Sequence, residues 1–271
     1  MKINDKTQII GSISIKKNKL GPIMHNSAYD YLGMNFVYLE LETTDCKNAI
    51  NGIKALNFKG SAISMPYKEK VIKYIDKIDP IAKKIGAVNT ILNNNGTLEG
   101  YNSDWIGAIN ALKEITPLQN KRVVLLGAGG AAKAIAYGLT QNKAKVIIFN
   151  RNIEKAKKLA KEFNLVYGGN LGNLREIKDY DILINATSVG FYPEEGKSPV
   201  SKDSIKENKI VMDVVFYPLE SKFTKDAKSK GCEVILGYKM LIHQALFQFK
   251  LWTGKEAPFK VMEEALLKIL K

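Results

Sequence analysis

The chain has few residues of the types that form disulfide frameworks or transition-metal sites. Its 271 residues include only 2 cysteines, Cys46 and Cys232, and 2 histidines. The cysteines have neither metal-ligand spacing nor a partner close in sequence, so we expect no bound metal. Reduced cysteines of this kind suit the cytoplasm, where we expect the protein to be located.

Long apolar stretches are absent as well. No run of roughly eighteen or more apolar residues occurs, and the first residues lack the charged, apolar and small segments of a signal peptide. We therefore expect no membrane partner. The hydrophobic content is still 45% of 271 residues, which is enough for two domains of ordinary size with packed cores.

Acidic residues are scarcer than basic ones. There are 27 Asp+Glu against 41 Lys+Arg, which gives a formal net charge of +14. Such an excess can indicate a nucleic-acid or polyanion binder. The lysines are scattered, however, often along one helix face as in 155-KAKKLAKEF-163, and aromatic residues do not alternate with them. This pattern favours a solvated surface, and we expect no nucleic-acid partner.

A glycine-rich turn separates an apolar run from an alanine-rich run in 121-KRVVLLGAGGAAKAIAYGL-139. The β-branched residues before the glycines predict a buried strand, and the alanines predict a helix. Gly127, Gly129 and Ala132 fit the G-x-G-x-x-G/A pattern, in which small residues permit a tight turn and close approach of a pyrophosphate. The helix N-terminus would offer N–H groups to the phosphates. Taken alone, the motif could also be a chance glycine-rich turn.

The next apolar run, 145-KVIIFN-150, ends where a Rossmann site reads the adenosine ribose. NAD-preferring sites carry an acidic residue there, whereas this chain has Asn150, Arg151 and, one helical turn on, Lys155. A guanidinium and an ammonium favour a 2′-phosphate, so the residues predict NADP as the cofactor. The alternative is that Arg151 only caps a surface turn.

Three further apolar runs, 180-YDILINATSVG-190, 209-KIVMDVVFYP-218 and 233-EVILGYKM-240, each end in a turn. Strands alternating with helices build a parallel sheet whose ligands gather at the carboxyl ends of the strands. We expect these turns to line the nicotinamide end. The residues on this rim are Thr187, Ser188, Gly190, Gly237 and Met240.

The residues before this Rossmann pattern form a second α/β pattern. The expected strands lie in 7–11, 35–41, 58–64 and 88–92, and the expected helices in 23–33, 44–56 and 67–78. We predict a first domain of residues 1–102, completed by the C-terminal helices in 238–271, and an NADP-binding domain of residues 103–237, with a cleft between the two.

Hydride transfer to or from a carbon that bears oxygen requires a titratable group at that oxygen. Lys68, directly after 64-SMPY-67, and Asp104, in 101-YNSDWIG-107, are the candidates. Each has an ordinary alternative, because Lys68 could be a solvated residue at the start of a helix and Asp104 a helix-initiating charge.

Several spaced motifs together resemble the shikimate dehydrogenase family, in order and from end to end. They are 64-SMPYK-68, 87-AVNT-90, 100-GYNSD-104, 127-GAGGAA-132, 150-NR-151, 185-NATSVG-190, 213-DVVFYP-218 and 237-GYKMLIHQALFQFKLWTG-254. The resemblance implies a substrate domain interrupted by an NADP-binding Rossmann domain. It implies reversible reduction of 3-dehydroshikimate to shikimate by NADPH, a step of chorismate and aromatic amino acid biosynthesis.

The resemblance also assigns site residues by position. Lys68 and Asp104 match the catalytic pair, Asn89 matches an asparagine that binds substrate hydroxyls, and Gln244 matches a substrate-binding glutamine. The expected cofactor-binding residues are Gly127, Ala128, Gly129, Gly130, Ala131, Asn150, Arg151, Lys155, Thr187, Ser188, Val215, Gly237 and Met240.

The first strand-to-helix loop departs from the family pattern. The family has Ser-x-Ser-Pro there, whereas 19-KLG-21 precedes Pro22 here and the paired serines are Ser12 and Ser14. We expect these serines, with Lys19, to face the substrate carboxylate from a longer loop. Ser64, which is also expected to bind substrate, replaces a common threonine, and Phe216 replaces an expected tyrosine.

The loop layout and Ser64 are similar to the shikimate-dehydrogenase-like branch, so quinate or another cyclic polyol acid stays open as the substrate. A non-enzymatic module that binds NADP or nucleic acid is a third hypothesis, supported only by the net charge. For the assembly we expect a monomer or a homodimer.

Overall fold

The computed structural model describes residues 3–16 and 19–270. These divide into two compact units. The first contains the described residues up to Ser103 together with Gln244–Ile269, and the second contains Asp104–His243 and Leu270. The first unit is therefore discontinuous in sequence.

Strands and helices alternate along the first part of the chain. They are β1 (Gln8–Ser14), α1 (Leu20–Tyr31), β2 (Phe36–Glu42), α2 (Cys46–Ala55), β3 (Gly60–Ile63), a 3₁₀ helix (Lys70–Tyr74), β4 (Lys77–Ile78), α3 (Pro80–Ile85), β5 (Thr90–Asn94) and β6 (Thr97–Tyr101).

The alternation continues through the remainder. The elements are α4 (Asp104–Lys113), β7 (Arg122–Leu126), α5 (Gly130–Gln141), β8 (Lys145–Phe149), α6 (Ile153–Phe163), β9 (Val166–Gly169), a 3₁₀ helix (Leu171–Glu176), β10 (Ile182–Asn185), a 3₁₀ helix (Lys202–Ser204), β11 (Ile210–Asp213), α7 (Lys222–Lys228), β12 (Glu233–Ile235), α8 (Gly237–Thr253) and α9 (Phe259–Leu270).

The sheet of the first unit is mixed. Its strand order is β2-β1-β3-β5-β6-β4 in the described part of the chain. Strand β1 runs parallel to β2 and β3, whereas β5 is antiparallel to β3 and β6. One result is that the carboxyl ends of β1, β3 and β6 and the amino end of β5 lie at the same edge of the sheet.

One face of this sheet is covered by an aliphatic cluster. The cluster joins Ile13 and Ile63 on the strands to Ile50 and Ile53 on α2. Residues Ile10 and Ile13 of β1 are both fully buried, as expected for an internal strand whose two faces are covered.

Aromatic residues of α1, β2 and α8 form a second cluster of the first unit. The His25 ring stacks on Tyr38 at 4.7 Å, and it lies 5.4 Å from the Trp252 ring. The Trp252 indole nitrogen donates a hydrogen bond to the Ile91 carbonyl at 2.9 Å. This bond fixes the second half of α8 against β5.

The predicted helix over 67–78 is wrong. The segment forms a 3₁₀ helix at Lys70–Tyr74 and then strand β4. Asp76 ends the helical turn because its backbone N–H donates to Leu98 and its carboxylate accepts from the Leu98 N–H at 2.7 Å. These bonds pull Lys77 and Ile78 into register with Glu99 and Gly100 of β6.

The sheet of the second unit is parallel throughout its described strands. The order β12-β11-β10-β7-β8-β9 is the 3-2-1-4-5-6 arrangement of a Rossmann fold, read from the opposite edge. Buried apolar residues fill its core, among them Val124, Phe149, Leu183 and Phe223. The α/β fold class with a Rossmann unit is confirmed. In the described residues, no helix combines the length and apolarity that a bilayer span requires.

Candidate functional site

The turn between β7 and α5 requires glycine at its first position. Gly127 has φ +111°, and its N–H donates to the Phe149 carbonyl at 2.8 Å. A Cβ there would lie 2.9 Å from the carbonyl oxygen of Ala186, which is closer than real contacts allow. The strand therefore turns sharply into the helix beside the end of β10.

The N-terminus of α5 is open to an approaching group. A Cβ on Gly129 or Gly130 would meet no atom within 4 Å, and among the described residues no side chain caps the helix at Gly129. The first N–H groups of α5 and its positive dipole end thus face open space, which suits a pyrophosphate. Ala132, the third small residue of the motif, is fully buried in the packing of α5.

The carboxyl end of β8 carries the residues expected at the adenosine ribose. Asn150 follows the strand, and its side-chain amide donates to the Asn152 carbonyl at 2.8 Å, so it shapes the turn. Asn152 caps α6 by accepting from the Lys155 N–H. Arg151 and Lys155 are both exposed. Asn152 performs the capping, so the Arg151 guanidinium is not required for it.

The rim at the ends of β10 and β11 is held by buried polar groups. Asn185 accepts from the Thr187 N–H at 3.0 Å and donates to the Asp213 carboxylate at 2.9 Å. Asp213 also accepts from the Val215 N–H and from the Ser221 hydroxyl. Burial raises the pKa of Asp213 to about 6 although these bonds oppose the shift.

The start of α8 lies against this rim. A Cβ on Gly237 would overlap the Val215 carbonyl, so only glycine lets the helix begin there. Met240, one turn later, is buried, whereas Ser188 on the β10 turn is exposed. The structure thus brings Thr187, Val215 and Gly237 together at the carboxyl ends of neighbouring strands.

Polar side chains collect at the edge of the first unit's sheet where β3 ends and β5 begins. Asn89 is buried, and its Oδ1 accepts from the Ser103 N–H at 2.7 Å. Its Nδ2 donates to Gln244 at 3.4 Å. The Lys68 carbonyl accepts from the Val88 N–H at 2.8 Å, which places Lys68 beside this strand. The predicted site residues Ser64, Lys68, Asn89 and Gln244 all lie in the first unit, as do Ser12 and Ser14.

Asp104 is the first residue of α4 and belongs to the second unit. Its side chain is buried, with an exposed fraction of 3%, and it follows Ser103 directly. The position at a helix N-terminus favours a carboxylate. The catalytic pairing of Lys68 with Asp104 stays a prediction.

The expectation that Ser12 and Ser14 lie in the loop before the first helix is wrong. Ser12 and Ser14 lie inside β1 and are buried, and α1 begins at Leu20. The Ser14 hydroxyl donates to the Lys16 carbonyl at 2.8 Å, and Ser12 is hydrogen-bonded to Tyr38. Parallel pairing with both β2 and β3 extends the strand. Lys19 is exposed, and residues 17–18 of this prediction lie outside the described residues.

Several polar residues that hold these sites lie within the sequence motifs, although the motifs did not predict them as site residues. Thr90 and Gln248 bond to each other beneath Asn89, and Asn185 and Asp213 bond at the rim. The available indication was a polar residue within or ending an apolar run, as in 182-ILIN-185 and 210-IVMD-213. Buried polar groups need partners, which makes such positions informative.

An open helix N-terminus on an all-parallel sheet, with polar turns at the strand ends, defines an α/β protein of the dinucleotide-binding class. Family models match three segments: the shikimate dehydrogenase substrate binding domain at 13–91, shikimate / quinate 5-dehydrogenase at 110–213, and the shikimate 5'-dehydrogenase C-terminal domain at 237–267. The chain belongs to the shikimate dehydrogenase family.

Individual relatives cover the whole chain. Shikimate dehydrogenase (NADP(+)) of Pyrococcus furiosus is 44% identical over 99% of this chain and 98% of its own length. A crystal structure of shikimate dehydrogenase in complex with NADP+ superposes with a TM-score of 0.93 at 38% identity, covering 100% of this chain and 98% of that one. A shikimate 5-dehydrogenase-like protein gives 0.88 at 34% identity, with 98% of each chain covered.

Proposed function

We propose that this chain is an NADP-dependent dehydrogenase that reversibly reduces 3-dehydroshikimate to shikimate, a step of chorismate and aromatic amino acid biosynthesis. One observation carries the proposal. The chain combines an open phosphate-binding helix N-terminus with a cationic strand end, and it also holds a lysine beside a buried, oriented asparagine. The relatives named for this activity extend over the full chain.

The residues of the second unit fit NADP. The open space at Gly129 and Gly130 accommodates the pyrophosphate, and the exposed cations Arg151 and Lys155 suit a 2′-phosphate. When bound, the reduced cofactor supplies the hydride for the substrate carbonyl carbon. Thr187, Val215 and Met240 are the groups proposed to hold its nicotinamide end.

Lys68 is proposed as the proton donor of the reduction. Its ammonium donates a hydrogen bond to the ketone oxygen, stabilises the negative charge that develops there, and then transfers the proton to the oxygen. Asp104 is proposed as the carboxylate that favours the charged form of this lysine. Asn89, Gln244 and Ser64 bind the substrate hydroxyls in this proposal.

The experiment is a steady-state assay of NADPH formation by the purified protein. Shikimate and quinate are compared with NADP+ and with NAD+ under identical conditions. We expect the highest kcat/KM for the pair of shikimate and NADP+. Absence of turnover with shikimate would exclude the proposed reaction, and salt-sensitive binding to DNA without turnover would favour the nucleic-acid hypothesis.

A related cyclic polyol acid is the second candidate substrate. The observation that favours it is the placement of Ser12 and Ser14 inside β1 with both hydroxyls bonded within the protein. Because both hydroxyls already have partners within the protein, the contacts to the substrate carboxylate can differ from those of the family. We expect Ser14→Ala or Lys19→Ala to raise KM for the preferred acid, and unchanged KM values for all acids in both variants would remove this segment from substrate binding.

The domain limits, the assembly and the location are also proposals. We propose domains of residues 1–102 with 238–271 and of residues 103–237, a monomer or homodimer, and a cytoplasmic location that suits the free, buried Cys46 and Cys232. Light scattering of the purified protein measures the assembly. Cell fractionation measures the location.

A further inference from the structure

A chain of buried hydrogen bonds lies beneath Asn89 in the first unit. The Thr90 hydroxyl donates to Asn89 Oδ1 at 2.8 Å, and Gln248 Nε2 donates to Thr90 Oγ1 at 2.9 Å. Gln248 is in turn hydrogen-bonded to His25. None of the four side chains exposes more than 6% of its surface. The chain thus connects α1 and α8 to a proposed substrate-binding amide.

The Ser103 backbone N–H indicates which atom donates in each of these hydrogen bonds. The Ser103 N–H can only donate, so the Asn89 atom that it contacts at 2.7 Å is the carbonyl oxygen. The Thr90 hydroxyl donates its single proton to that oxygen at 2.8 Å, a shorter contact than the 3.3 Å to Ser103 Oγ, and its own oxygen accepts from the Gln248 amide. The Gln248 oxygen remains to accept from His25.

The protonation state of His25 agrees with this assignment of donors and acceptors. Among the described residues His25 Nδ1 has no hydrogen-bond partner, so the bond to Gln248 is made by Nε2 as a donor. Burial lowers the pKa of His25 to about 3, and the ring is neutral at ordinary pH. Stacking on Tyr38 at 4.7 Å holds the ring plane. A neutral ring with its proton on Nε2 is the one form that completes the chain.

We propose that His25, Gln248 and Thr90 are positioning residues that hold the Asn89 amide with its oxygen on the Ser103 N–H and its nitrogen on the side of Ser103 Oγ and Gln244, where the substrate hydroxyls bind. This inference rests on the proposed function, because it gives Asn89 its substrate. The Asn89 amide nitrogen donates to Ser103 Oγ at 3.0 Å and to Gln244 at 3.4 Å, and these two bonds mark the side on which its donors lie. These three residues act through Asn89 and do not themselves contact substrate.

The enzymatic test removes single donors without changing side-chain volume much. We expect Thr90→Val and Gln248→Met each to lower kcat/KM for shikimate by about tenfold or more, mainly through KM, with the Kd of NADP+ unchanged. Thr90→Ser keeps the hydroxyl and should restore most of the activity. The matched control is Ser61→Ala, which removes another buried hydroxyl of the same sheet.

A double-mutant cycle shows whether the effect passes through Asn89. Shikimate affinity is measured by calorimetry with NADP+ present, so that slow variants can be compared. In an Asn89→Ala background, Thr90→Val should change this affinity by less than about twofold. The proposal is overturned by a full effect in that background, by failure of Thr90→Ser to restore activity, or by an equal loss in Ser61→Ala.

A spectroscopic test observes His25 directly and needs no turnover. Nitrogen-15 NMR distinguishes the tautomers of the 2 histidines, and His243→Asn assigns the His25 signals. We expect a neutral ring protonated at Nε2, perturbed by Gln248→Met. A proton on Nδ1, or titration near the ordinary histidine pKa, would contradict this chain of hydrogen bonds. This result is separate from the proposed function, which fails only if shikimate is not turned over.

Discussion

At the scale of single residues, burial changes the protonation of two side chains in opposite directions. Asp213 is fully buried at the end of β11, where burial raises its pKa to about 6. His25 is buried among aromatic rings, where burial lowers its pKa to about 3. Both groups therefore tend toward the neutral form. The unfolded chain lacks this preference, so both make the stability of the protein depend on pH.

The Asp213 contribution has a definite sign. The folded-state pKa of about 6 lies above the ordinary 3.8, so the folded protein keeps a proton that the unfolded chain has released. This contribution to stability is complete below the ordinary value and is lost as pH rises through the folded-state value. A difference of roughly two units corresponds to about 3 kcal/mol.

We expect the free energy of unfolding of Asp213→Asn, relative to the unmodified protein, to increase by about 2 kcal/mol between about pH 4 and pH 7. Asparagine cannot titrate, and all other groups cancel in the comparison. Urea unfolding of both proteins at the two pH values measures this difference. A relative stability that is independent of pH would contradict the raised pKa.

Removal of the Lys68 ammonium tests the proposed proton donor. We expect Lys68→Ala to lower kcat by about a hundredfold or more, because general acid catalysis and stabilisation of the oxygen charge are lost together. The Kd of NADP+ should not change. Lys70→Ala, two residues away and exposed, is the matched control. Near-normal turnover in Lys68→Ala would remove this residue from the mechanism.

Cofactor preference depends on Arg151 in the same proposal. We expect Arg151→Ala to raise the Kd of NADP+ by about tenfold, since a charge-assisted bond to the 2′-phosphate is lost, and to leave the Kd of NAD+ unchanged. Calorimetric titration measures both constants. Lys161→Ala, in the last turn of α6, serves as a charge-matched control. Equal weakening of both cofactors would show that Arg151 only supports the turn.

Residue-scale prediction from the sequence succeeds where a local pattern carries the chemistry. Gly127 and Gly129 are identified by spacing alone, because the turn and helix that use them are adjacent in sequence. Thr90 and Gln248 are 158 positions apart, so no local pattern could pair them. The sequence shows Asp213 as a polar residue at a strand end, but its hydrogen bond with Ser221 could not be predicted because the fold brings the two side chains together.

At the scale of elements, α8 packs especially closely against the sheet of the first unit at Gly60. A Cβ on Gly60 would overlap both the Ile91 carbonyl and the Trp252 indole, which are joined by a hydrogen bond. Glycine at this position in β3 is thus required by packing. The helix could not otherwise lie close enough to the strands to form that bond.

We expect Gly60→Ala to destabilise the protein by about 1–3 kcal/mol through overpacking at this contact. Gly52→Ala is the matched control, because a Cβ there meets no atom within 4 Å and the residue lies inside α2. The control should be neutral or slightly stabilising, since alanine is the better helix former. Thermal unfolding measures both, and equal melting temperatures would contradict the close contact.

Elements of the Rossmann unit could be predicted because a parallel sheet with both faces covered requires continuous apolar strands. The runs ending at Leu126 and Phe149 are of this type. The segment 67–78 could not be predicted from its apolar spacing. Its short strand β4 exists because Asp76 bonds to Leu98, a residue that the local pattern does not include.

At the scale of the whole molecule, the described chain, apart from Leu270, forms one unit from a continuous segment and the other from two segments. Asp104–His243 is continuous, whereas the first unit needs both its N-terminal strands and residues from Gln244 onward. Trp252 and Phe249 of that later segment are buried in the aromatic cluster of the first unit.

A chain ending after His243 separates the two units experimentally. We expect it to bind NADP+ with the affinity of the full chain, because the cofactor residues are retained, but to lack turnover with shikimate. Hydrogen exchange should show rapid exchange in β1, β3 and β5 and continued protection in β7 and β10, which serve as an internal reference. Protection in both sheets would show that the first unit folds without α8.

The discontinuous first unit also imposes an order in time during synthesis. Its strands leave the ribosome first, but the helix that covers them is translated only after the whole of Asp104–His243. At typical rates this interval lasts roughly 10–30 s. The second unit can complete its fold within that time, whereas the side of β3 and β5 that packs against Trp252 stays uncovered, and the newborn chain is exposed to aggregation until α8 is translated.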